Sequence, residues 1–149
     1  MNNTISARPS APTTRDRLKV LLLDDDDIHL GLLIATLRDL GVWNTKSFTS
    51  GDKALMAQDH PIIRFDLIVL DLHMPVMDGF QFMAAVAETG FAGGLIIVSG
   101  QNKDVMRAAS LVAQLQRFTL LGAITKPAAR EALNALIPAQ ALAKTSTQY

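Results

Sequence analysis

The fold is decided by the stretch from Asp66 to Gly79, which reads DLIVLDLHMPVMDG. Leu67 to Leu70 are apolar at every position, which is typical of a parallel strand covered by helices on both faces. Asp71 follows where this strand should end. Because ligands bind at the carboxyl ends of strands in open α/β sheets, Asp71 is the candidate reactive residue.

The composition predicts one globular domain without disulfides or membrane spans. The chain has 149 residues, of which 49% are hydrophobic and 19% charged, and this suits a single domain with a sizeable core. The 14 basic and 14 acidic residues balance, so the net charge gives no support for a nucleic acid or membrane partner. Cysteine is absent, which fits a reducing cytoplasm, the predicted location. No apolar run approaches the roughly 20 residues that span a bilayer.

Five strand patterns alternate with five helix patterns after a Ser-, Thr- and Pro-rich leader, residues 1–17, that is expected to be disordered. The predicted strands are 18–23, 45–48, 67–70, 95–98 and 123–125. The first helix should run from an N-cap at Asp27 to a C-cap at Gly41. The others are predicted over 51–57, 79–88, 103–115 and 128–142, the last interrupted or bent at Pro138.

Apolar stripes predict the buried faces of three helices: Leu30, Leu33, Ile34 and Leu37; Phe80, Met83, Ala84 and Ala87; and Leu133, Leu136 and Ile137. Strands and helices that alternate five times indicate a doubly wound parallel sheet. Right-handed crossovers should then bring the ends of strands one, three, four and five to a common edge.

Polar side chains end those four strands: Asp24-Asp25, Asp71, Ser99 and Lys126. Three carboxylates at close range raise one another's pKa values unless a cation compensates them. Mg²⁺, or alternatively Mn²⁺, is the natural solution because it prefers oxygen ligands. Lys126 would add a positive charge and Ser99 a hydroxyl donor for phosphoryl oxygens. An aspartate such as Asp71 can take a phosphoryl group covalently.

Each of these residues also has a purely structural interpretation. Residues 24–27 could form only a solvated acidic turn that caps a helix, which is the interpretation we prefer for Asp26 and Asp27. Asp71 could cap the turn into the next helix, and Lys126 could be a surface lysine. Four such residues at four strand ends favour a functional site when they are taken together.

The sequence resembles a receiver domain of two-component response regulators over about residues 18–143, with 144–149 as a tail. The matching pieces are LLLDDD ending at Asp26, DLHMPVMDG from Asp71 to Gly79, IIVSG ending at Gly100, and TKP at 125–127. The resemblance implies a single flavodoxin-like (βα)5 domain of the α/β class, with the strand order 2-1-3-4-5. It also implies a cis peptide bond between Lys126 and Pro127.

Carried over by position, the resemblance implies a role for each site residue. Asp71 would accept a phosphoryl group from a sensor histidine kinase or a histidine phosphotransfer protein. Mg²⁺ would be held by Asp24, Asp25, Asp71 and the backbone carbonyl of His73. Ser99 and Lys126 would bind the phosphoryl oxygens.

The chain departs from the receiver pattern at two places. Ala123 stands where receivers often have an aromatic residue that responds to phosphorylation, so output is expected to depend on movement of the helix after Ser99. The segment from Ser99 to Lys126 is also long, with residues 110–121 as the expected surplus, and it resembles receivers joined to cyclic-di-GMP phosphodiesterase output domains.

Two alternatives to a phosphorylated receiver stay open. One is a pseudo-receiver that binds partners without phosphorylation. The other is a magnesium-dependent phosphohydrolase that works through an aspartyl phosphate. Such enzymes require an acid two residues after the nucleophile, where this chain has His73. The downstream target is not written in the sequence, and a homodimer through the last helices is an expectation by analogy.

Overall fold

Five strands form one parallel sheet in the computed structural model, which describes residues 15–59 and 64–138. The strands are Lys19–Leu23 (β1), Asn44–Phe48 (β2), Leu67–Leu70 (β3), Gly94–Ser99 (β4) and Thr119–Thr125 (β5). Their order is β2-β1-β3-β4-β5, and each neighbouring pair is parallel. The doubly wound sheet with the order 2-1-3-4-5 is therefore confirmed.

Five helices cover both faces of this sheet: Asp27–Asp39 (α1), Gly51–Gln58 (α2), Gly79–Glu88 (α3), Lys103–Leu115 (α4) and Arg130–Leu136 (α5). Because side chains alternate along a strand, β1 sends Leu21 and Leu23 toward α2, α3 and α4. It sends Val20 and Leu22 toward α1 and α5. None of the described helices is long and apolar enough to cross a membrane.

The surplus predicted over residues 110–121 is not a separate insertion. Its first part completes α4, and β5 begins at Thr119 rather than near Ala123. The register of β5 against β4 shifts between Leu95 and Ile96, which accommodates one extra residue as a bulge. The long segment is thus absorbed within the regular elements.

Helix α3 has the predicted bounds, and the centre of its buried face is shifted from the predicted stripe. Gly79 packs against the backbone of Leu72 at the start of the helix. Residues at i+3, i+4 and i+7 share a face with residue i, so the buried side chains are Phe82, Met83 and Val86. The predicted stripe is confirmed in part: Met83 is buried, Phe80 and Ala87 are half-buried against the same core, and Ala84 is exposed.

Helix α5 is shorter than the predicted 128–142. It ends at Leu136, and Ile137 is extended directly before Pro138, since proline disfavours a helical backbone at the residue before it. Leu133 and Ile137 are buried as predicted, whereas Leu136 is half-buried. Residues 139–142 lie outside the described part of the chain.

The predicted disordered leader extends too far, because Arg15–Arg17 form a 3-10 turn. The Arg15 guanidinium donates hydrogen bonds of 2.8 to 3.3 Å to the Asn134 side chain and to the backbone oxygens of Leu40, Asn134, Ile137 and Pro138. Arg15 therefore ties the start of the described chain to the ends of α1 and α5. The division into a leader, a domain over 18–143 and a tail over 144–149 otherwise stays a prediction.

Candidate functional site

The parallel ladder brings the predicted strand-end residues to one edge of the sheet. The backbone N–H groups of Asp24, Asp71 and Lys126 each donate a hydrogen bond to the neighbouring strand, at 2.9 to 3.1 Å. These bonds continue the ladder one residue beyond the strands. Asp24 and Asp71 are buried there, with 2% and 3% of their surface exposed.

The Lys126 ammonium lies between the two buried carboxylates. Its Nζ is 2.9 Å from Asp24 Oδ2 and 3.4 Å from Asp71 Oδ2, and it donates to Asp24 Oδ1 at 3.1 Å. The following peptide bond to Pro127 is cis, as the resemblance implied. One partly buried cation therefore offsets two buried negative charges.

The pKa of the Asp71 carboxyl is raised above its usual value. Burial is the main cause, and the charge of Asp24 adds to it. Lys126 and the backbone N–H of His73, which donates to Asp71 Oδ1 at 3.4 Å, work in the other direction without cancelling the rise. A carboxylate of raised basicity in a crevice is a candidate for a chemical role.

The pKa of Lys126 is also raised. Burial works to lower it, but the hydrogen bond to Asp24 and the charges of Asp71 and Asp24 outweigh this effect. Lys126 is therefore a cation at neutral pH, and its N–H groups are available to anionic oxygens.

The residues present fit a divalent metal ion. Asp24, Asp25 and Asp71 each offer a carboxylate oxygen, and these oxygens lie within 4.8 Å of one another. Asp24 and Asp71 are buried, whereas Asp25 is exposed, which leaves one side open to water. A few carboxylates with room for waters suit Mg²⁺, and Mn²⁺ accepts the same ligands.

Ser99 and His73 lie at this edge, and their predicted roles stay predictions. The buried Ser99 hydroxyl accepts a hydrogen bond from the Gln101 N–H at 3.3 Å, which leaves its own hydrogen for another acceptor. The His73 side chain is exposed, and its backbone N–H is the group that reaches Asp71. Ala123 is exposed on β5 opposite Ile97, so no ring occupies that position.

Close packing explains why position 79, at the end of the stretch from Asp66 to Gly79, is a glycine. A Cβ at Gly79 would lie 2.7 Å from both the Asp71 carbonyl oxygen and Leu72 Cα, which is too close for either backbone to accept. Asp78 and Gln81 form a capping box at the start of α3. Asp78 and Gly79 thus hold the loop that follows Asp71.

Helix α1 begins one residue earlier than predicted, and its first turn contains a buried residue that was not predicted. The N-cap is Asp26 rather than Asp27, because the Asp26 carboxylate accepts from the N–H groups of Ile28 and His29 at 3.0 and 3.3 Å. His29, in the first turn, is buried, and its Nδ1 lies 2.7 Å from Asp24 Oδ2. The sequence did contain a signal for this burial, because His29 lies four residues before Leu33 and therefore on the same face of the helix.

Comparison with known proteins identifies the family. The response regulator receiver domain model matches residues 20–138. The two-component response regulator ORR22 of Oryza sativa subsp. indica is 33% identical over 91 residues, which are 60% of this chain and 13% of that relative. The chain thus spans only 13% of the length of this curated relative.

Solved structures agree with this assignment. The chemotaxis protein CheY4 of Vibrio cholerae is 27% identical with a TM-score of 0.65, covering 78% of this chain and 92% of that one. A response regulator from Colwellia psychrerythraea is 28% identical with a TM-score of 0.68, covering 78% and 90%. The chain therefore belongs to the response regulator receiver domain family.

Proposed function

We propose that this receiver domain is a phosphorylation-switched signalling module that accepts a phosphoryl group on Asp71 in a Mg²⁺-dependent reaction. The donor would be a sensor histidine kinase or a histidine phosphotransfer protein of a two-component system, and the cytoplasm is the predicted location. One observation carries the proposal: a buried carboxylate of raised pKa lies 3.4 Å from the Lys126 ammonium, beside two further carboxylates.

The chemistry assigns a task to each side chain. An Asp71 oxygen attacks the phosphorus of a phosphohistidine, the P–N bond breaks, and its electron pair stays on the imidazole, which takes up a proton from water. Lys126 Nζ and the Ser99 hydroxyl donate hydrogen bonds to the phosphoryl oxygens. Asp24, Asp25, Asp71 and the His73 carbonyl would hold Mg²⁺, which when bound supplies positive charge to those oxygens.

An apolar cleft beside Lys126 supports a protein donor. The cleft has a volume of about 290 Å³ and is lined by Asp26, Ile28, His29, Leu32, Lys126 and Pro127. Ile28 is 78% exposed and Leu32 57% exposed. Large exposed apolar side chains next to a reactive group are typical of a docking surface.

For the output we propose the surface of α4 and β5. Leu111 and Leu115 lie one turn apart on α4 and are 55% and 81% exposed. With Ala123 in place of an aromatic residue, movement of α4 is the route by which phosphorylation would alter this surface. The downstream target, or a second copy of the chain in a homodimer, would bind there.

Intact-mass measurement after incubation with phosphoramidate and Mg²⁺ tests the function. The wild type is expected to gain one phosphoryl group, Asp71→Asn none, and Asp52→Asn, which changes an exposed carboxylate on α2, the same as the wild type. No adduct under any condition would favour the pseudo-receiver. Rapid turnover of unrelated phosphate esters would favour the phosphohydrolase.

A further inference from the structure

His29 is a buried polar residue for which the proposed function has no role. Within residues 15–59 and 64–138 the buried polar or charged side chains are Asp24, His29, Asp71 and Ser99, and His29 is 6% exposed. Its Nδ1 lies 2.7 Å from Asp24 Oδ2. Lys126 Nζ lies 2.9 Å from the same oxygen. Since a carboxylate beside a cation only accepts, Nδ1 carries the hydrogen and donates it.

Four contacts hold the Asp24 carboxylate. Oδ1 accepts from the Asp26 N–H at 2.9 Å and from Lys126 at 3.1 Å, while Oδ2 contacts His29 and Lys126. A carboxylate has about four lone-pair positions, so these contacts fill them. Asp24 can therefore bind a cation only if one donor leaves.

The donors differ in how easily they can leave. Asp26 and His29 belong to the capped first turn of α1, which fixes their backbone, and burial restrains the His29 imidazole. The Lys126 ammonium ends a flexible stem, and its side chain is 22% exposed. Lys126 is thus the donor that a metal ion would displace. The Asp26 N–H and the His29 Nδ1–H would continue to fix the plane of the carboxylate.

We propose that His29 is a positioning residue for the metal site: its Nδ1–H holds the Asp24 carboxylate in the orientation that binds Mg²⁺. The inference rests on the proposed function. Hydrogen-bond partners of this kind orient metal ligands, and their loss typically weakens metal binding 10- to 100-fold. A histidine that only filled the core would have no such effect on the metal.

Two isosteric variants separate positioning from packing. The amide nitrogen of His29→Asn takes nearly the place of Nδ1, whereas His29→Leu has a similar shape and no donor. Leu33→Val loosens the same helix away from Asp24 and is the control for lost stability. Affinities of the full chain would be measured for Mn²⁺ by electron paramagnetic resonance and for Mg²⁺ by calorimetry.

His29→Leu is expected to bind Mn²⁺ and Mg²⁺ about 10-fold or more weakly than the wild type. His29→Asn and Leu33→Val should stay close to the wild type. Equal affinities for the Leu and Asn variants would overturn the proposal, as would an equal loss in Leu33→Val.

A measurement on the unsubstituted chain covers the case in which His29→Leu fails to fold. In protein labelled with ¹⁵N-histidine, the Hδ1 resonance of His29 should be visible without metal and should persist, shifted, at saturating Mg²⁺. Its disappearance when Mg²⁺ is added would mean that the hydrogen bond breaks, which contradicts the proposal.

The phosphoramidate adduct on Asp71 separates this inference from the proposed function. A wild type that takes the adduct while His29→Leu keeps its full Mg²⁺ affinity overturns only the role of His29. A wild type that neither binds Mg²⁺ nor takes the adduct overturns both.

Discussion

The two sides of the sheet edge that carries the site are built differently. On the β1–α1 side, the fixed donors Asp26 and His29 hold Asp24, one on each carboxylate oxygen. On the β4–β5 side, Ser99 has a 3.3 Å hydrogen bond from a loop N–H, and Ala123 is exposed. Groups fixed before a reaction cost no reorganisation during it, whereas a signal needs an element that can move. The β1–α1 side is suited to chemistry and the β4–β5 side to response.

The largest expected effect comes from removing the cation that joins the two sides. Lys126→Ala should slow phosphorylation of Asp71 by phosphoramidate about 100-fold, because the phosphoryl oxygens lose a charged donor. Initial rates of adduct formation by intact mass measure this. Lys46→Ala, at an exposed lysine on β2, is the control. An unchanged rate for Lys126→Ala would mean that the site works without the cation.

A pair of glycine substitutions tests how rigid the loop after Asp71 is. Gly79→Ala should lower the free energy of unfolding by about 2 kcal/mol, because the new methyl group meets backbone atoms of Asp71 and Leu72. Gly31→Ala on α1 meets nothing within 4 Å and should raise that free energy by about 0.5 kcal/mol. Urea denaturation measures both. Equal changes in the free energy of unfolding would show that the loop after Asp71 can move to accommodate the methyl group.

The raised pKa of Asp71 predicts a pH-dependent cost to stability in metal-free protein. The folded state holds the Asp71 proton more tightly than the unfolded chain, whose pKa is near 3.8. Below that pH the carboxyl is protonated in both states and costs nothing. The cost grows as pH rises and is complete above the folded pKa. Asp71→Asn should therefore raise Tm at neutral pH and lose this advantage toward about pH 4. Melting curves in a chelator measure it, and a pH-independent difference would contradict it.

The smallest expected effect is at His73, two residues after Asp71. Changing His73 to alanine should alter the decay rate of the aspartyl phosphate without abolishing phosphorylation, because the exposed imidazole belongs to the residue whose backbone N–H contacts Asp71. An exposed side chain should change this rate by much less than the 10²-fold typical of a positioned acid or base. Loss of the adduct after removal of phosphoramidate gives the rate, and unchanged decay would exclude a role for the ring.

The sequence predicts the strand ends at the site well, because the information there is local. An apolar run followed by Asp24, Asp71 or Lys126 identifies both the strand and the residue at its end. The start of β5 at Thr119 was not predictable in this way, since the residues before Ala123 become a strand only by pairing with β4.

Two details near the site were also not predicted from the sequence. His29 lies one turn before Leu33 on the buried face of α1, a position that helical spacing indicates but that was not assigned. Val76 has a φ of 69°, a left-handed conformation that a β-branched residue rarely adopts and that no pattern would assign to it.

The hydrogen bonds of Arg15 have a mechanical consequence. They join the start of the described chain to the carboxyl-terminal ends of α1 and α5, whereas the other end of α1 is at the site. A helix of 13 residues is about 20 Å long, so this junction lies about that far from Asp26. The two ends of the described chain, Arg15 and Pro138, therefore meet at the pole of the domain opposite the site, where one guanidinium joins them.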